Sequence, residues 1–164
     1  MKQKKGFIIT GIILAAITAG SFTIWLMPQT AQTKFVISDA KENLDEIIEQ
    51  QKTVSDSMSE EFARMLNSQI TPDNYISIAQ ISSSQINSFI IKIVQSDVPE
   101  EWRQSYSIYT DFLRSYNSYL QETIVIANKL KENSGIDITN DKAQVDSMLN
   151  DANIIADASL KARP

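Results

Sequence analysis

Cysteine and histidine are both absent from the 164 residues of this chain. Without cysteine the fold has no disulfide, so packing alone must hold it together. Histidine is the commonest acid–base catalyst at neutral pH, and the two residue types supply most ligands of zinc, copper and haem. The sequence also has no glycine-rich phosphate loop and no nucleophile-elbow pattern. We therefore expect no metal, no cofactor and no enzymatic activity.

Glycine and proline are scarce, with four of each. Between residues 29 and 163 only Pro72, Pro99 and Gly135 interrupt the chain. Apolar residues between these interruptions recur three and four positions apart, which indicates amphipathic helices. The sequence therefore predicts an all-α fold, an antiparallel bundle of about four helices joined by short loops. The predicted helices cover residues 33–70, 72–96, 99–134 and 140–161.

The second of these helices has a competing interpretation. Residues 72–96 contain seven isoleucines and the run Ser82-Ser83-Ser84, which favour a strand over a helix. Thr71, Pro72 and Asp73 form a strong helix start. A helix remains the prediction because the pattern after Gln85 has a period near 3.6 and no turn interrupts it.

Residues 7–27 form an uncharged, largely apolar run, which predicts a transmembrane anchor. As a helix it spans roughly 31 Å, which matches the apolar thickness of a bilayer. Lysines precede the run, whereas none follows it before Lys34, so the positive-inside rule places the N-terminus in the cytoplasm. We expect a single-pass protein of the cell membrane with three parts. These are a cytoplasmic basic tail (1–6), a transmembrane anchor (7–27) and an extracytoplasmic helical bundle domain (28–164).

Two features of the uncharged run admit a second interpretation. A basic start followed by apolar residues is also found in cleaved signal peptides, but this run exceeds their usual length of roughly 7–15 residues.

Gly11, Ala15 and Ala19 share one helix face, which predicts close packing against another membrane helix. The alternative is that small residues are simply common in membrane spans.

The part of the chain beyond residue 27 is acidic. It holds 12 basic and 20 acidic residues, a net charge of −8. This balance argues against nucleic acid as a partner.

The first predicted helix is long compared with the second, so its beginning should project as a stalk near the membrane. An apolar stripe runs along that stalk, and an uncovered stripe calls for a partner chain or a second copy of this chain. The residues of this predicted stalk interface are Phe35, Ile37, Ala40, Leu44 and Ile47.

The third predicted helix is rich in aromatic residues at heptad spacing. These rings either pack as a core or line a pocket for an apolar or amine ligand. Phe112 and Tyr119 lie off the main stripe, which predicts an exposed aromatic contact.

Taken together, these patterns favour a single-pass, membrane-anchored interaction module, a subunit or scaffold of a larger membrane-associated assembly. The alternative is an extracytoplasmic ligand-sensing or solute-binding four-helix bundle, whose architecture would be similar.

Overall fold

The computed structural model describes residues 35–36 and 39–164, and helices account for most of them. Four helices form a bundle, which confirms the predicted all-α fold. They are α1 (Ala40–Leu66), α2 (Pro72–Gln95), α3 (Glu100–Glu132) and α4 (Thr139–Lys161). Two short strands, β1 (Phe35–Val36) and β2 (Ser96–Asp97), pair in parallel.

Helix α2 is continuous, so the strand alternative for this segment is wrong. The Thr71 hydroxyl accepts a hydrogen bond from the Asn74 amide at 3.3 Å, and Pro72 occupies the first turn. This start satisfies an amide that a helix would otherwise leave unpaired. Burial then recurs at helical spacing, which isoleucine-rich strands would not show. The buried residues are Tyr75, Ala79, Ser82, Ser83, Ile86 and Ile93.

Helix α1 begins seven residues later than predicted, because Phe35 and Val36 form a strand and Asp39 is extended, with φ −135° and ψ 99°. Phe35 pairs with Ser96, and Val36 pairs with Asp97, so this segment is attached to the chain at the end of α2. The Asp39 carboxylate then accepts a hydrogen bond from the Glu42 amide at 2.9 Å, which caps α1 at its true start. The predicted stalk helix from residue 33 is therefore wrong.

The stripe predicted to be uncovered on that stalk lies in the core where the structure describes it. Ala40, Leu44 and Ile47 are 6%, 0% and 0% exposed. The reason is helix length: α1 and α2 have 27 and 24 residues, or about 40 and 36 Å, so α2 can reach the beginning of α1. Ile37 and the Phe35 side chain lie outside the described residues.

Helix α3 is the central helix of the bundle. It packs along α2 and along α4, and it also contacts α1. Because neighbours cover it on three sides, its buried surface is wider than the stripe that the heptad pattern predicts. Phe112 and Tyr119 are consequently 3% and 5% exposed. The prediction that these two rings form an exposed contact is wrong.

The predicted anchor and its packing residues, Gly11, Ala15 and Ala19, fall outside the described residues. Among the helices that the structure does describe, none combines the length and the apolar character needed to cross a bilayer.

A candidate binding groove between α1 and α4

An open groove of about 410 Å³ lies between α1 and α4. Helix α1 packs on α2, and α4 packs on α3, but α1 and α4 are not packed against each other over most of their described length. The α3 rings Tyr109 and Phe112 form the floor between them. The walls are Ile48, Gln51, Lys52, Ser55, Asp56 and Ser59 from α1, and Leu149, Asn153, Ala156 and Leu160 from α4.

Short side chains keep this groove open. Ser55 and Ser59 lie one turn apart on the α1 wall, and Ala156 lies on the α4 wall. Leucine or isoleucine at such positions would fill the space between two neighbouring helices, as the core of a closed bundle requires. The groove is therefore a consequence of residue size at a few wall positions.

The floor of the groove belongs to a row of stacked rings on α3. Ring centroids lie 5.1 Å apart for Tyr109 and Phe112, 6.1 Å for Phe112 and Tyr116, and 5.4 Å for Tyr116 and Tyr119. The ring planes are tilted by 39–42°, and the centroid distances fall within the roughly 4.5–7 Å of favourable aromatic pairs. Tyr109 and Phe112 are only 2% and 3% exposed, so they close the bottom of the groove and leave little of their own surface free. Of the two predictions for these aromatic residues, the packed core is confirmed because the rings are buried, and the ligand pocket stays a prediction.

Tyrosine hydroxyls attach α1 to this row. Tyr106 donates a hydrogen bond to the Ala40 carbonyl oxygen at 2.7 Å. Further along, Tyr109 donates a long hydrogen bond to Gln51 Oε1 at 3.5 Å. Burial raises the pKa of Tyr106 to about 12, and it also raises the pKa of Tyr109. Both hydroxyls are therefore neutral at pH 7 and act as positioning groups for α1.

An ion pair joins α1 to the end of α4 beside the groove. Arg163 Nη1 lies 2.7 Å from Asp45 Oδ1, and the arginine side chain is only 19% exposed. The hydrogen bond from Lys41, together with the charge of Arg163, lowers the pKa of Asp45. Arg163 Nε and Nη2 are buried without a hydrogen-bond partner among the described residues. This pair connects the two groove walls at one end.

The two helices that supply the walls carry most of the excess negative charge of the bundle, although the groove lining itself has one carboxylate, Asp56, and one cation, Lys52. Helix α1 has seven acidic and three basic residues, and α4 has four acidic and two basic residues. Helix α2, which does not line the groove, has one acidic and one basic residue. Within residues 39–164, no three acidic side chains are placed to hold a metal ion together. The groove thus combines an apolar floor with acidic surroundings.

Comparison with protein-family models, with curated proteins and with solved structures found no match.

Sequence reasoning identified some groove residues and missed others. The aromatic residues of α3 were recognised as a pocket candidate, and Phe112 does lie in the floor. Ser55, Ser59 and Asn153 were missed, because a polar residue at a helix surface usually indicates only solvent exposure. The available signal was the pair of serines one turn apart, next to the apolar stripe of α1.

Proposed function

We propose that this chain is a membrane-anchored module that binds a helix of a partner protein in the groove between α1 and α4. In this proposal residues 7–27 cross the cell membrane once, and the bundle lies outside the cytoplasm as a subunit or scaffold of a larger assembly. The uncharged run and the lysines before it support the anchor. The aromatic-floored groove is the observation that supports the binding role.

The dimensions of the groove suit the side chains of a helix laid along it. Its wall residues extend from Ile48 to Ser59 on α1 and from Leu149 to Leu160 on α4. Each wall is three helical turns long, about 17 Å. A volume of about 410 Å³ is too small for a whole helix over that length, but it accepts large apolar side chains spaced at i, i+3 or i+4, and i+7.

Charge indicates which kind of helix fits. Because α1 and α4 carry an excess of carboxylates outside the groove lining, a partner helix with lysine or arginine beside its apolar stripe is favoured over an acidic one. Asp56, which lines the groove itself, is the carboxylate best placed to pair with such a residue. The excess of negative charge also supports our proposal that nucleic acid is not a partner.

The proposal assigns no catalytic role to this protein. Tyr109 in the groove floor and Tyr116 in the same row of rings carry reactive hydroxyls, and burial raises the pKa of both. A hydroxyl with a raised pKa is a poorer base and nucleophile at neutral pH. These groups suit contact and positioning.

A second candidate function is the binding of a small solute, as in a sensor domain. The groove volume lies within the usual range of roughly 300–1,000 Å³ for ligand sites. Gln51 and Asn153 would supply amide groups beside an aromatic floor. In that case a small molecule should raise the melting temperature of the monomer.

The groove proposal is tested with a tryptophan that fills the groove. Asn153→Trp places a large ring at an exposed wall position, whereas Asn150→Trp places the same ring on the outward face of α4. Full-length protein is purified from gently solubilised membranes, and the stoichiometry of co-purifying proteins is measured. We expect a stoichiometric partner with the wild type and with Asn150→Trp, reduced at least tenfold with Asn153→Trp. Equal recovery of the partner with both variants would contradict binding in this groove.

A further inference from the structure

The outward face of α2 is uncharged and partly apolar. The helix has no charged residue between Asp73 and Lys92. Ile81 and Ile91 are 63% and 55% exposed on this face. The face contains a stripe of exposed residues spaced four and three apart, as in a helix–helix seam. This α2 stripe consists of Ser77, Ile81, Ser84, Ser88, Ile91 and Gln95.

The serines of the α2 stripe are internally satisfied. Ser77 donates its hydroxyl proton to the Asp73 carbonyl oxygen, Ser84 to Gln80, and Ser88 to Ser84, each at 3.0 Å. These donors therefore lose no hydrogen bond when water leaves the face. Small side chains of this kind also allow another helix to approach closely. Such a face can pack against another helix without water between them, although it is exposed to solvent in a single copy of the chain.

The order of residues in the α2 stripe is nearly the same in both directions. Read forwards it is Ser, Ile, Ser, Ser, Ile, Gln, and only the terminal residues differ in reverse. If two copies of α2 run antiparallel about a two-fold axis beside residue 86, Ile81 meets Ile91 of the second copy. Ser84 meets Ser88, and Ser77 meets Gln95. Self-complementarity of this kind is what a two-fold symmetric interface requires.

Charge also favours a second copy of this chain as the occupant. The acidic excess lies on α1 and α4, so contact between those helices of two copies would place like charges together. The middle of α2 avoids that cost, because neither copy brings a charge to it. We propose that α2 pairs antiparallel with α2 of a second copy, with the Ile81–Ile91 contacts on either side of a central pair of serines, Ser84 and Ser88.

The area of the face sets the strength of this pairing. An uncharged face of 18 residues is about 27 Å long, and at about 10 Å wide it covers a few hundred Å². Stable dimers bury about 800 Å² on each partner, so the pairing should be weak for freely diffusing copies. Tethering both copies in one membrane raises their effective concentration. In this respect the inference rests on the anchor in the proposed function.

Cysteine crosslinking tests the pairing, because the native chain contains no cysteine. Full-length Ser77→Cys and Gln95→Cys, carrying different tags, are co-expressed and treated in membranes with a short bis-maleimide. We expect a crosslinked dimer that carries both tags. Ser77→Cys alone should give none, because antiparallel pairing separates the two copies of this position by about 27 Å. Ser147→Cys, exposed on α4, is the matched control and should also give none.

Two other patterns overturn the proposal. Crosslinking of Ser77→Cys with itself would show parallel pairing, and a Ser147→Cys yield equal to that of the Ser77→Cys and Gln95→Cys pair would show random collision or no pairing. Sedimentation of the protein with membranes reports separately on the anchor. If the protein is not membrane-bound, the same crosslinking with concentrated protein still decides the pairing.

A charge on the α2 stripe gives an independent readout. In the paired-cysteine background, Ile91→Lys should lower the crosslink yield at least tenfold, because it meets Ile81 of the second copy. Ile154→Lys changes an equally exposed isoleucine on α4 and should leave the yield unchanged. Circular dichroism checks that both variants keep the helical bundle. An unchanged yield with Ile91→Lys in a folded protein would exclude this contact.

Discussion

Single hydroxyl groups determine how α1 is held on the central helix. Tyr106 is 3% exposed, and its hydroxyl reaches the Ala40 carbonyl oxygen in the first turn of α1. Asn43 Oδ1 accepts from the same hydroxyl at 3.3 Å. A phenol suits this position because its ring packs in the core while its oxygen reaches a polar group at the edge.

We predict that Tyr106→Phe lowers the free energy of unfolding by about 1 kcal/mol, because the ring stays and one buried hydrogen bond is lost. The measurement is denaturant unfolding of the full-length protein in detergent. Tyr119→Phe is the matched control, because the Tyr119 hydroxyl makes no hydrogen bond with the part of the chain that the structure describes. Equal losses for the two variants would show that the Tyr106 bond contributes nothing specific.

The same tyrosines predict how stability depends on pH. Burial raises the pKa of Tyr106 from its ordinary value of 10.0 to about 12. A group with a raised folded-state pKa stabilises the fold fully below pH 10, and this contribution is lost as the pH rises towards 12. Burial raises the pKa of four more tyrosines in the same direction: Tyr75, Tyr109, Tyr116 and Tyr119.

We therefore expect the melting temperature to be nearly constant from pH 7 to 9.5 and to fall steeply above pH 10. Calorimetry across this range checks the prediction, and Tyr106→Phe should show a shallower fall than the wild type. A melting temperature that stays constant up to pH 11.5 would mean that the tyrosines ionise without cost in the folded protein.

At the scale of helices and strands, the structure depends on where each element begins. The starts of α2 and α3 could be predicted, because Pro72 and Pro99 mark them in the sequence. The start of α1 could not, because β1 pairs with β2, about 60 residues further along the chain. Two paired residues leave no periodic signal, so the sequence indicated one continuous helix.

Capping at Asp39 gives a prediction for α1. We expect Asp39→Ala to lower the free energy of unfolding by about 1 kcal/mol, because the Glu42 amide loses its acceptor. Asp39→Asn keeps an acceptor oxygen at the same place and should lose much less. Denaturant unfolding of both variants is the measurement. If alanine and asparagine behave alike, the side-chain cap does not stabilise the start of α1.

The groove also depends on contacts between residues that are far apart in the sequence, which a periodic pattern does not show. Periodicity identified the apolar faces of α1 and of α3, since Leu44, Ile47 and Leu113 are fully buried, but it wrongly indicated that Leu44 and Ile47 are left uncovered for a partner chain. It could not show that α1 and α4 stay apart, because that depends on how complete helices fit together. The exposure of Phe112 was predicted wrongly for a related reason. An amphipathic pattern indicates one buried face, whereas the central helix α3 is covered by three neighbouring helices.

At the scale of the whole molecule, the groove and the α2 stripe use different helices. The groove residues belong to α1, α3 and α4, and the stripe belongs to α2. A second copy and a partner helix could therefore bind at the same time. Such an arrangement fits our proposal of a scaffold that is held at a membrane by residues 7–27.

The orientation of the chain in the membrane is the most direct test of this account. Because the native chain has no cysteine, single cysteines at Ser147 and at Gln3 can be labelled in intact cells with a membrane-impermeant maleimide. We predict labelling of Ser147→Cys in intact cells, and labelling of Gln3→Cys only after lysis. Labelling of Gln3→Cys alone in intact cells, or recovery of the polypeptide in the medium beginning after residue 27, would contradict the central claim.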